Sequence, residues 1–279
     1  MNNEKSLKLI MNAALEAASP KGKFKKTPTK PQGKLIVLGA GKAAASMAKE
    51  FENNYEGPIE GLVITRYGHF TKTKFVEVIE AAHPEPDRNG LLASKKTFDI
   101  ASNLTKSDHV VFLISGGASS LLTLPLSGIS FEDKQRINKE LLISGAPIDE
   151  MNIVRRSLSQ LKGGRLAQTI FPAKLSTYMI SDIPGDDPAY IGSGPTIQAT
   201  GSNEDSISIL DHYKIFISDK IKKTIHKNTL PQLVKSPQYM IANPIMALKS
   251  AANLAVKEGY IPIILSDCLE GEARVEGKK

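Results

Sequence analysis

A series of short apolar runs, separated by stretches with the helical period, constrains the fold of this chain most. Several runs are rich in Val and Ile and apolar on both faces, as the strands of a parallel sheet covered by helices are. The runs cover residues 34–39, 60–65, 75–81, 109–115, 176–181, 238–242 and 261–266. We therefore predict an α/β fold in layers, with a mainly parallel sheet and right-handed crossovers.

Size and residue usage exclude several classes of protein. With 279 residues, 41% of them apolar, the chain suits one large α/β domain or one domain plus part of another. No window reaches the roughly 18 apolar residues of a membrane span, and the first residues lack the order of a signal peptide. We therefore expect a cytoplasmic protein without a membrane partner. Cys268 is the single cysteine, which excludes an intramolecular disulfide.

The charge balance favours an anionic ligand. Lys and Arg exceed Asp and Glu by 36 − 29 = 7, an excess that suits an anionic small molecule or a nucleic acid. The basic residues are scattered except in "KGKFKKTPTK" (residues 21–30), which we interpret as a solvated loop. No nucleic-acid partner is expected, and the sequence leaves a homo-oligomer open.

The loop after the first predicted strand has a phosphate-binding pattern. Ligands of such sheets lie outside the carboxyl ends of the strands. Gly39, Gly41 and Ala44 fit G-x-G-x-x-[G/A], which lets backbone approach a phosphate at a helix N-terminus. A dinucleotide site would also need an acid after the next strand, where this chain has Arg66, which suits a 2′-phosphate. Lys42 opposes the helix dipole unless an anion binds there. A turn that only packs strand against helix is the alternative.

A second oxyanion site is predicted in "SGGASSLL", directly after the strand at 109–115. The adjacent Gly116 and Gly117 can form a nest of backbone N–H groups. Ser115, Ser119 and Ser120 can add hydroxyl donors. Two such loops favour phosphoryl chemistry, whereas the G-x-S-x-G pattern of a serine hydrolase is absent.

Three aspartates follow the strand at 176–181. Asp182 ends that strand, and Asp186 and Asp187 lie in a loop bent by proline and glycine. Such carboxylates suit Mg²⁺, which binds one or two of them with substrate phosphates and water. One could instead take the proton of an attacking hydroxyl. An exposed Asp-Pro-Gly turn is the alternative.

A basic helix is predicted over residues 147–167, ended by Gly163 and Gly164. One side is an apolar stripe, and the other side should face solvent. That other side holds Asn152, Arg155, Arg156, Ser159 and Lys162. Because arginine fits a carboxylate in bidentate geometry, this helix is also a candidate for binding an acid substrate.

His83 is the histidine that we place at the same rim. Of the five histidines, it is the only one that we find in a rigid loop there, held by Pro84 and Pro86. A binding role and a structural role in the loop are both open.

Five motifs in this order carry a family resemblance. "VLGAGKAAASMA", "AAHPEPDRNG", "FLISGGASSLL", "MNIVRRSLSQLKGGRLA" and "ISDIPGDDPAYIGSGPT" closely resemble the glycerate 2-kinase family of the MOFRL type, some of whose members were formerly labelled hydroxypyruvate reductases. The resemblance implies phosphorylation of D-glycerate to 2-phosphoglycerate by ATP, with Mg²⁺. It also implies a Rossmann-like domain, here residues 1–237, and a smaller C-terminal domain that begins within 238–279, with the active site in the cleft between them.

The resemblance also assigns roles to residues. The family's lysine in the first glycine turn matches Lys42, and its aspartate after the "IS" strand matches Asp182, so these are the expected catalytic residues. Asp182 would hold Mg²⁺ with Asp186 or Asp187, or orient the glycerate hydroxyl. By their chemistry, and not by the resemblance, phosphate or nucleotide would bind at Gly39, Gly41, Ser115, Gly116, Gly117, Ser119 and Ser120, and substrate at Arg155 or Arg156 and at His83.

The chain departs from the family in length. Family members are well over a hundred residues longer, and this chain stops as the resemblance enters the second domain. We therefore expect weak ligand binding and poor turnover from the 279 residues. Two alternatives stay open: an NADP-dependent hydroxypyruvate reductase that uses the same glycine turn with Arg66, and a non-catalytic module that binds nucleotide or phosphate.

Overall fold

The sheet has six parallel strands in the order β3-β2-β1-β4-β5-β6. In this computed structural model, residues 3–198, 201–228, 231, 234–269 and 271–278 are described. The strands are β1 (Leu35–Ala40), β2 (Glu60–Arg66), β3 (Glu77–Ala81), β4 (His109–Ile114), β5 (Lys174–Ile180) and β6 (Gln238–Ala242). The predicted α/β fold with a parallel sheet is confirmed. Because the strand order reverses between β1 and β4, a crevice opens where these two strands end.

Helices cover both faces of the sheet. They are α1 (Asn3–Ala18), α2 (Ala44–Asn54), α3 (Arg88–Ser102), α4 (Ala118–Leu121), α5 (Phe131–Ser144), α6 (Ile148–Ser157), α7 (Arg165–Ile170), α8 (Asn203–His212), α9 (Asp219–Lys227), α10 (Pro244–Lys257) and α11 (Ala273–Glu276). Alternate residues of one strand serve two cores. In β1, Leu38 packs in the core that α3 and α7 share, and Val37 packs in the core of α2.

A third apolar cluster builds a helical lobe beside the sheet. Ile137 and Leu141 of α5 pack there with Val154 of α6, and Leu210 and Ile221 bring in α8 and α9. This lobe matters for function because α5 and α6 carry basic side chains toward the carboxyl edge of the sheet.

The helix predicted over residues 147–167 is wrong in length. The α6 helix ends at Ser157, because the chain then pairs its backbone with the segment after α4: the Leu126 amide donates to the Leu158 carbonyl at 3.0 Å, and the Gln160 amide to the Leu124 carbonyl at 3.1 Å. Gly163 and Gly164 have φ of 63° and 87°, and α7 begins after them.

The polar side of that segment was also expected to face solvent, which is wrong. Asn152 and Lys162 are each 1% exposed, Arg156 is 7% exposed, and Ser159 is buried. These side chains are enclosed because α8 and the loop after β5 pack against α6.

The last predicted strand, residues 261–266, is also wrong. This run is irregular in the structure, and Ile261 and Leu265 are 93% and 89% exposed. A local apolar pattern forms a strand only where a neighbouring strand offers hydrogen-bonding partners. Within the described residues, no strand pairs with this run.

The boundary predicted between residues 237 and 238 stays a prediction. Beyond it, β6 pairs with β5 at the edge of the same sheet, and α10 packs on α1. In the part of the chain that the structure describes, no helix combines the length and apolarity required to cross a membrane.

Asp108 fixes the start of β1 beside β4. Its carboxylate accepts from the backbone amides of Lys34 at 2.8 Å and Thr105 at 2.7 Å. These bonds, the Lys34 amide first, lower the pKa of the Asp108 carboxyl below 3.8. The stabilisation is present above pH 3.8 and is lost as pH falls through the lower pKa of the folded state.

We therefore expect Asp108→Ala to reduce the free energy of unfolding by about 1–3 kcal/mol at pH 7, because two amides lose their acceptor. Urea unfolding at pH 7 and at a series of lower pH values measures this. A loss that stayed constant while the carboxylate became protonated would contradict its role.

Candidate active site

The carboxyl ends of β1, β4 and β5 bring three predicted loops together. The Lys42 amide donates to the Gly116 carbonyl at 2.8 Å, and the Ser115 amide to the Ala40 carbonyl at 3.1 Å. The loop after β1 is therefore bonded to the loop after β4. Asp182 begins the third of these loops, which follows β5.

Lys42 and Asp182 form an ion pair at the centre of these loops. The Lys42 Nζ lies 2.8 Å from Asp182 Oδ2, although 140 residues separate them in sequence. Their side chains are 38% and 46% exposed, so a ligand can reach both charges. An ion pair this exposed contributes about 0–1 kcal/mol to stability. Both charged groups can therefore interact with a ligand, and breaking their ion pair would change the stability of the fold little.

Two glycines allow the charged side chains to approach the loop after β4. A Cβ on Gly116 would lie 1.9 Å from Asp182 Oδ2. A Cβ on Gly117, whose φ is +84°, would lie 2.7 Å from the His83 ring and 3.3 Å from Lys42 Cγ. Only glycine leaves room for all three side chains at this loop.

Gly39, Gly41 and Ser115 lie deeper than the ion pair. Gly39 is buried within β1 against the Leu113 carbonyl, and Gly41 packs on Ser115. Ser115 is 2% exposed, and its Oγ accepts from the Ala43 amide at 3.0 Å. These residues hold the two loops together, and their contact with a phosphate stays a prediction.

Ser119 belongs to a chain of polar side chains that sequence reasoning missed. Its Oγ lies 3.1 Å from Ser193 Oγ, which donates to Asn152 Oδ1 at 2.8 Å. Ser120 Oγ donates to the Gly117 carbonyl. The sequence signal for Ser193 was its place in "IGSGPT", where two glycines flank the serine at a turn.

His83 is half-buried beside the ion pair. Burial, and then the charge of Lys42, lower the pKa of its imidazole below 6.5, so the ring is neutral at pH 7. A second histidine also lies at this rim, without the flanking prolines of the His83 loop. His69 Nδ1 is 3.1 Å from the Lys42 carbonyl, because the turn after β2 brings it there.

The three aspartates after β5 have different surroundings. Asp186 Oδ2 accepts from Asn243 Nδ2 at 2.7 Å, while its Oδ1 is buried without a hydrogen-bond partner. Asp187 Oδ1 accepts from the Ala189 amide within its own turn. Among the described residues, no three His, Cys, Asp or Glu side chains gather as a metal site. A cation-binding role for Asp182, Asp186 and Asp187 therefore stays a prediction.

A pocket of about 230 Å³ adjoins the ion pair. Predicted site residues line it together with α5: His83, Gly117, Ser119, Ser120, Arg155, Asn138 and Lys139. Burial lowers the pKa of the Arg155 guanidinium, which is partly buried there. Arg156 lies elsewhere, because its Nη2 donates to the Ala189 carbonyl and its guanidinium lies 5.8 Å from the centre of the Tyr190 ring. Of the two arginines, Arg155 is placed to bind a ligand in this pocket.

Larger pockets exist, but they lie away from the predicted residues. Those of about 530 and 650 Å³ are lined by the first residues of strands, such as His109 and Lys174 for one and Lys34 and Glu60 for the other. They are therefore at the amino edge of the sheet. Ligands of doubly wound sheets bind at the carboxyl edge, so the smaller pocket is the better candidate.

Comparison with known proteins gives relatives for most of the chain. Residues 6–226 match a protein family described as "Domain of unknown function (DUF4147)". A protein of Thermotoga maritima named D-glycerate 2-kinase is 37% identical over 272 residues, covering 96% of this chain and 65% of the relative. A protein of Agrobacterium vitis, named provisionally as a hydroxypyruvate reductase, is 42% identical over 277 residues, covering 98% and 63%. The chain thus spans less than two thirds of the length of these relatives.

A solved structure shares the fold. The crystal structure of a glycerate kinase from Thermotoga maritima superposes with a TM-score of 0.89 at 36% identity, covering 98% of this chain and 67% of that one.

Proposed function

The chain belongs to the DUF4147 family, of glycerate kinase type, and from this premise we propose that it phosphorylates D-glycerate with ATP, giving 2-phosphoglycerate and ADP. The observation that carries the proposal is the ion pair of Lys42 and Asp182 beside the glycine-serine loop. Phosphoryl transfer needs mainly positioning and electrostatic stabilisation, and this edge of the sheet offers both.

Lys42 and Asp182 have different roles in the proposed reaction. The Lys42 ammonium donates hydrogen bonds to the oxygens of the phosphoryl group in transfer, where negative charge is concentrated. The Asp182 carboxylate orients the attacking hydroxyl of glycerate and accepts its proton. The two groups lie 2.8 Å apart, which supports a site where the acceptor hydroxyl and the phosphoryl oxygens bind side by side.

The pocket beside the pair holds the acceptor. Arg155 attracts the glycerate carboxylate, and the hydroxyls of Ser119 and Ser120 bind glycerate oxygens. The neutral His83 ring adds a hydrogen-bonding group without charge. Phosphates of the nucleotide bind at the glycine turn of β1 and at the N–H groups of Gly116 and Gly117.

A magnesium ion is part of the proposal. Mg²⁺ takes one or two carboxylates together with phosphates and water, and Asp186 Oδ1 is a buried oxygen without a partner. Asp182 and Asp186 would hold the ion, which would neutralise charge on the phosphates of ATP.

The proposal is tested by coupled measurement of ADP release with D-glycerate and MgATP, on this chain and on one extended to the length of its relatives. We expect glycerate-dependent ADP in at least the extended protein. Background ADP release in both, unchanged by D-glycerate, would overturn the proposal.

Hydroxypyruvate reduction is the second candidate, favoured by the provisional name of the Agrobacterium vitis relative and by Arg66, exposed at the end of β2. NADPH absorbance that falls with hydroxypyruvate would support it. Calorimetric binding of ATP without any turnover in either assay would instead indicate a binding module.

A further inference from the structure

Two buried lysines lie near Arg155, which lines the candidate pocket. Lys134 of α5 and Lys162, just before α7, are each 1% exposed. Lys134 Nζ is buried without a hydrogen-bond partner. Lysine is almost never buried in this way unless something compensates its charge.

Positive charges near these lysines add to the free-energy cost of burying them. Burial, and then the charge of Arg155, lower the pKa of Lys134 to about 7. Burial, followed by the charges of Lys134 and Arg155, also lowers the pKa of Lys162 well below 10.5. Like charges in a buried cluster repel one another. An anion from outside the chain would therefore lower the free-energy cost of burying these cations.

This cationic cluster, defined as Lys134, Arg155 and Lys162, adjoins the pocket. Arg155 lines the pocket directly, and so does Asn138, which lies one helical turn after Lys134. The Oδ1 of Asn138 is also buried without a partner. Lys162 Nζ donates to the Leu122 carbonyl at 3.0 Å, so it lies at the end of α4, the helix that carries Ser119 and Ser120.

We infer that the cationic cluster attracts the carboxylate of a small acid seated in this pocket, with Arg155 in contact with the acid and Lys134 as a positioning residue behind it. That the acid is D-glycerate rests on the proposed function. The volume of about 230 Å³ suits a compound smaller than a drug-sized ligand, for which pockets measure roughly 300–1,000 Å³. A carboxylate therefore fits this place better than the phosphates of a whole nucleotide.

The test is calorimetric titration of D-glycerate, D-lactate and inorganic phosphate into the wild-type chain, Lys134→Met and Lys220→Met. Lys220 is exposed on α9, so its variant loses the same charge away from the pocket. We expect Lys134→Met to bind both acids roughly tenfold or more weakly, and Lys220→Met to bind them as the wild type does. Thermal unfolding without ligand should show Lys134→Met at least as stable as the wild type, because methionine removes a buried nitrogen that has no hydrogen-bond partner.

Proton uptake gives a second readout that needs no variant. At pH 8 Lys134 is mostly neutral, and a bound carboxylate favours its charged form. Titration in two buffers of different ionisation enthalpy should therefore show net proton uptake by the wild type, reduced in Lys134→Met.

The outcomes separate the inference from the proposed function. Lys134-dependent binding of D-lactate and D-glycerate, with no phosphorylation by this chain or by the extended protein, would leave the inference standing and reject the kinase activity. Phosphorylation of D-glycerate with unchanged affinity in Lys134→Met, or acid binding without proton uptake, would overturn the inference. The inference would also be overturned if Lys134→Met weakened only the binding of inorganic phosphate, or if neither acid bound to the wild type.

Discussion

Replacing Lys42 by methionine lowers kcat/KM for D-glycerate phosphorylation by about 10²- to 10³-fold, the usual effect of removing one electrostatic donor at a transition state. Methionine keeps the aliphatic stem beside Gly117, so the loop keeps its packing. Because the ion pair with Asp182 is largely exposed, the free energy of unfolding changes by no more than about 1 kcal/mol. Steady-state kinetics and urea unfolding, measured on one preparation, separate the two effects.

Lys34→Met is the matched control for this substitution. Lys34 forms a 2.7 Å ion pair with Glu60 at the amino end of the same strand, away from the site. The Lys34→Met variant should keep the kcat/KM of the wild type. Asp182→Asn should lower activity to a similar extent as Lys42→Met, and the double variant should lose far less than the two losses combined, because the pair acts as a unit. Activity within a factor of three of wild type in Lys42→Met would contradict the assigned role.

Gly116→Ala lowers kcat/KM by about 10²-fold with a small effect on stability. The added Cβ would lie 1.9 Å from Asp182 Oδ2, so the carboxylate must move away from Lys42. Asp182 is 46% exposed, so it can turn into solvent without disturbing the core. A displacement of about 1 Å at a reacting group commonly costs this factor in rate. Kinetics combined with thermal unfolding measures both consequences.

Gly90→Ala is the control for the glycine substitution. Gly90 lies in the first turn of α3, and the nearest atom to an added Cβ is the Leu121 carbonyl oxygen at 3.3 Å. This variant should keep its activity. If Gly116→Ala also kept full activity, the position of the Asp182 carboxylate would not matter for catalysis.

The sheet was predictable because each strand carries its own signal. Runs such as those of β1 and β4 are apolar on both faces, as the strands of a covered parallel sheet are, whereas the order of the strands was not predicted. Residues 261–266 show the limit of that signal. They have the same apolar pattern, yet pairing depends on a neighbouring strand that local sequence does not encode.

The site was predictable where reactive side chains lie directly after a strand. Lys42 and Asp182 meet because the carboxyl ends of parallel strands share one edge, so position alone placed two distant residues together. The resemblance to glycerate kinases, carried by the same motifs, is confirmed. Lys134 was missed because a lysine in an amphipathic helix normally faces solvent. The burial of Lys162 and Asn152 was missed because a straight helix was assumed where the chain turns after Ser157.

The most direct test of the account is phosphorus and proton NMR of the product formed from D-glycerate and MgATP. The chain extended to the length of its relatives would be compared with the same protein carrying Lys42→Met. We expect 2-phosphoglycerate in the first sample, and a rate of its formation lower by about 10²-fold or more in the second. A 3-phospho product would contradict the proposed position of transfer, and equal product from both proteins would contradict the proposed site.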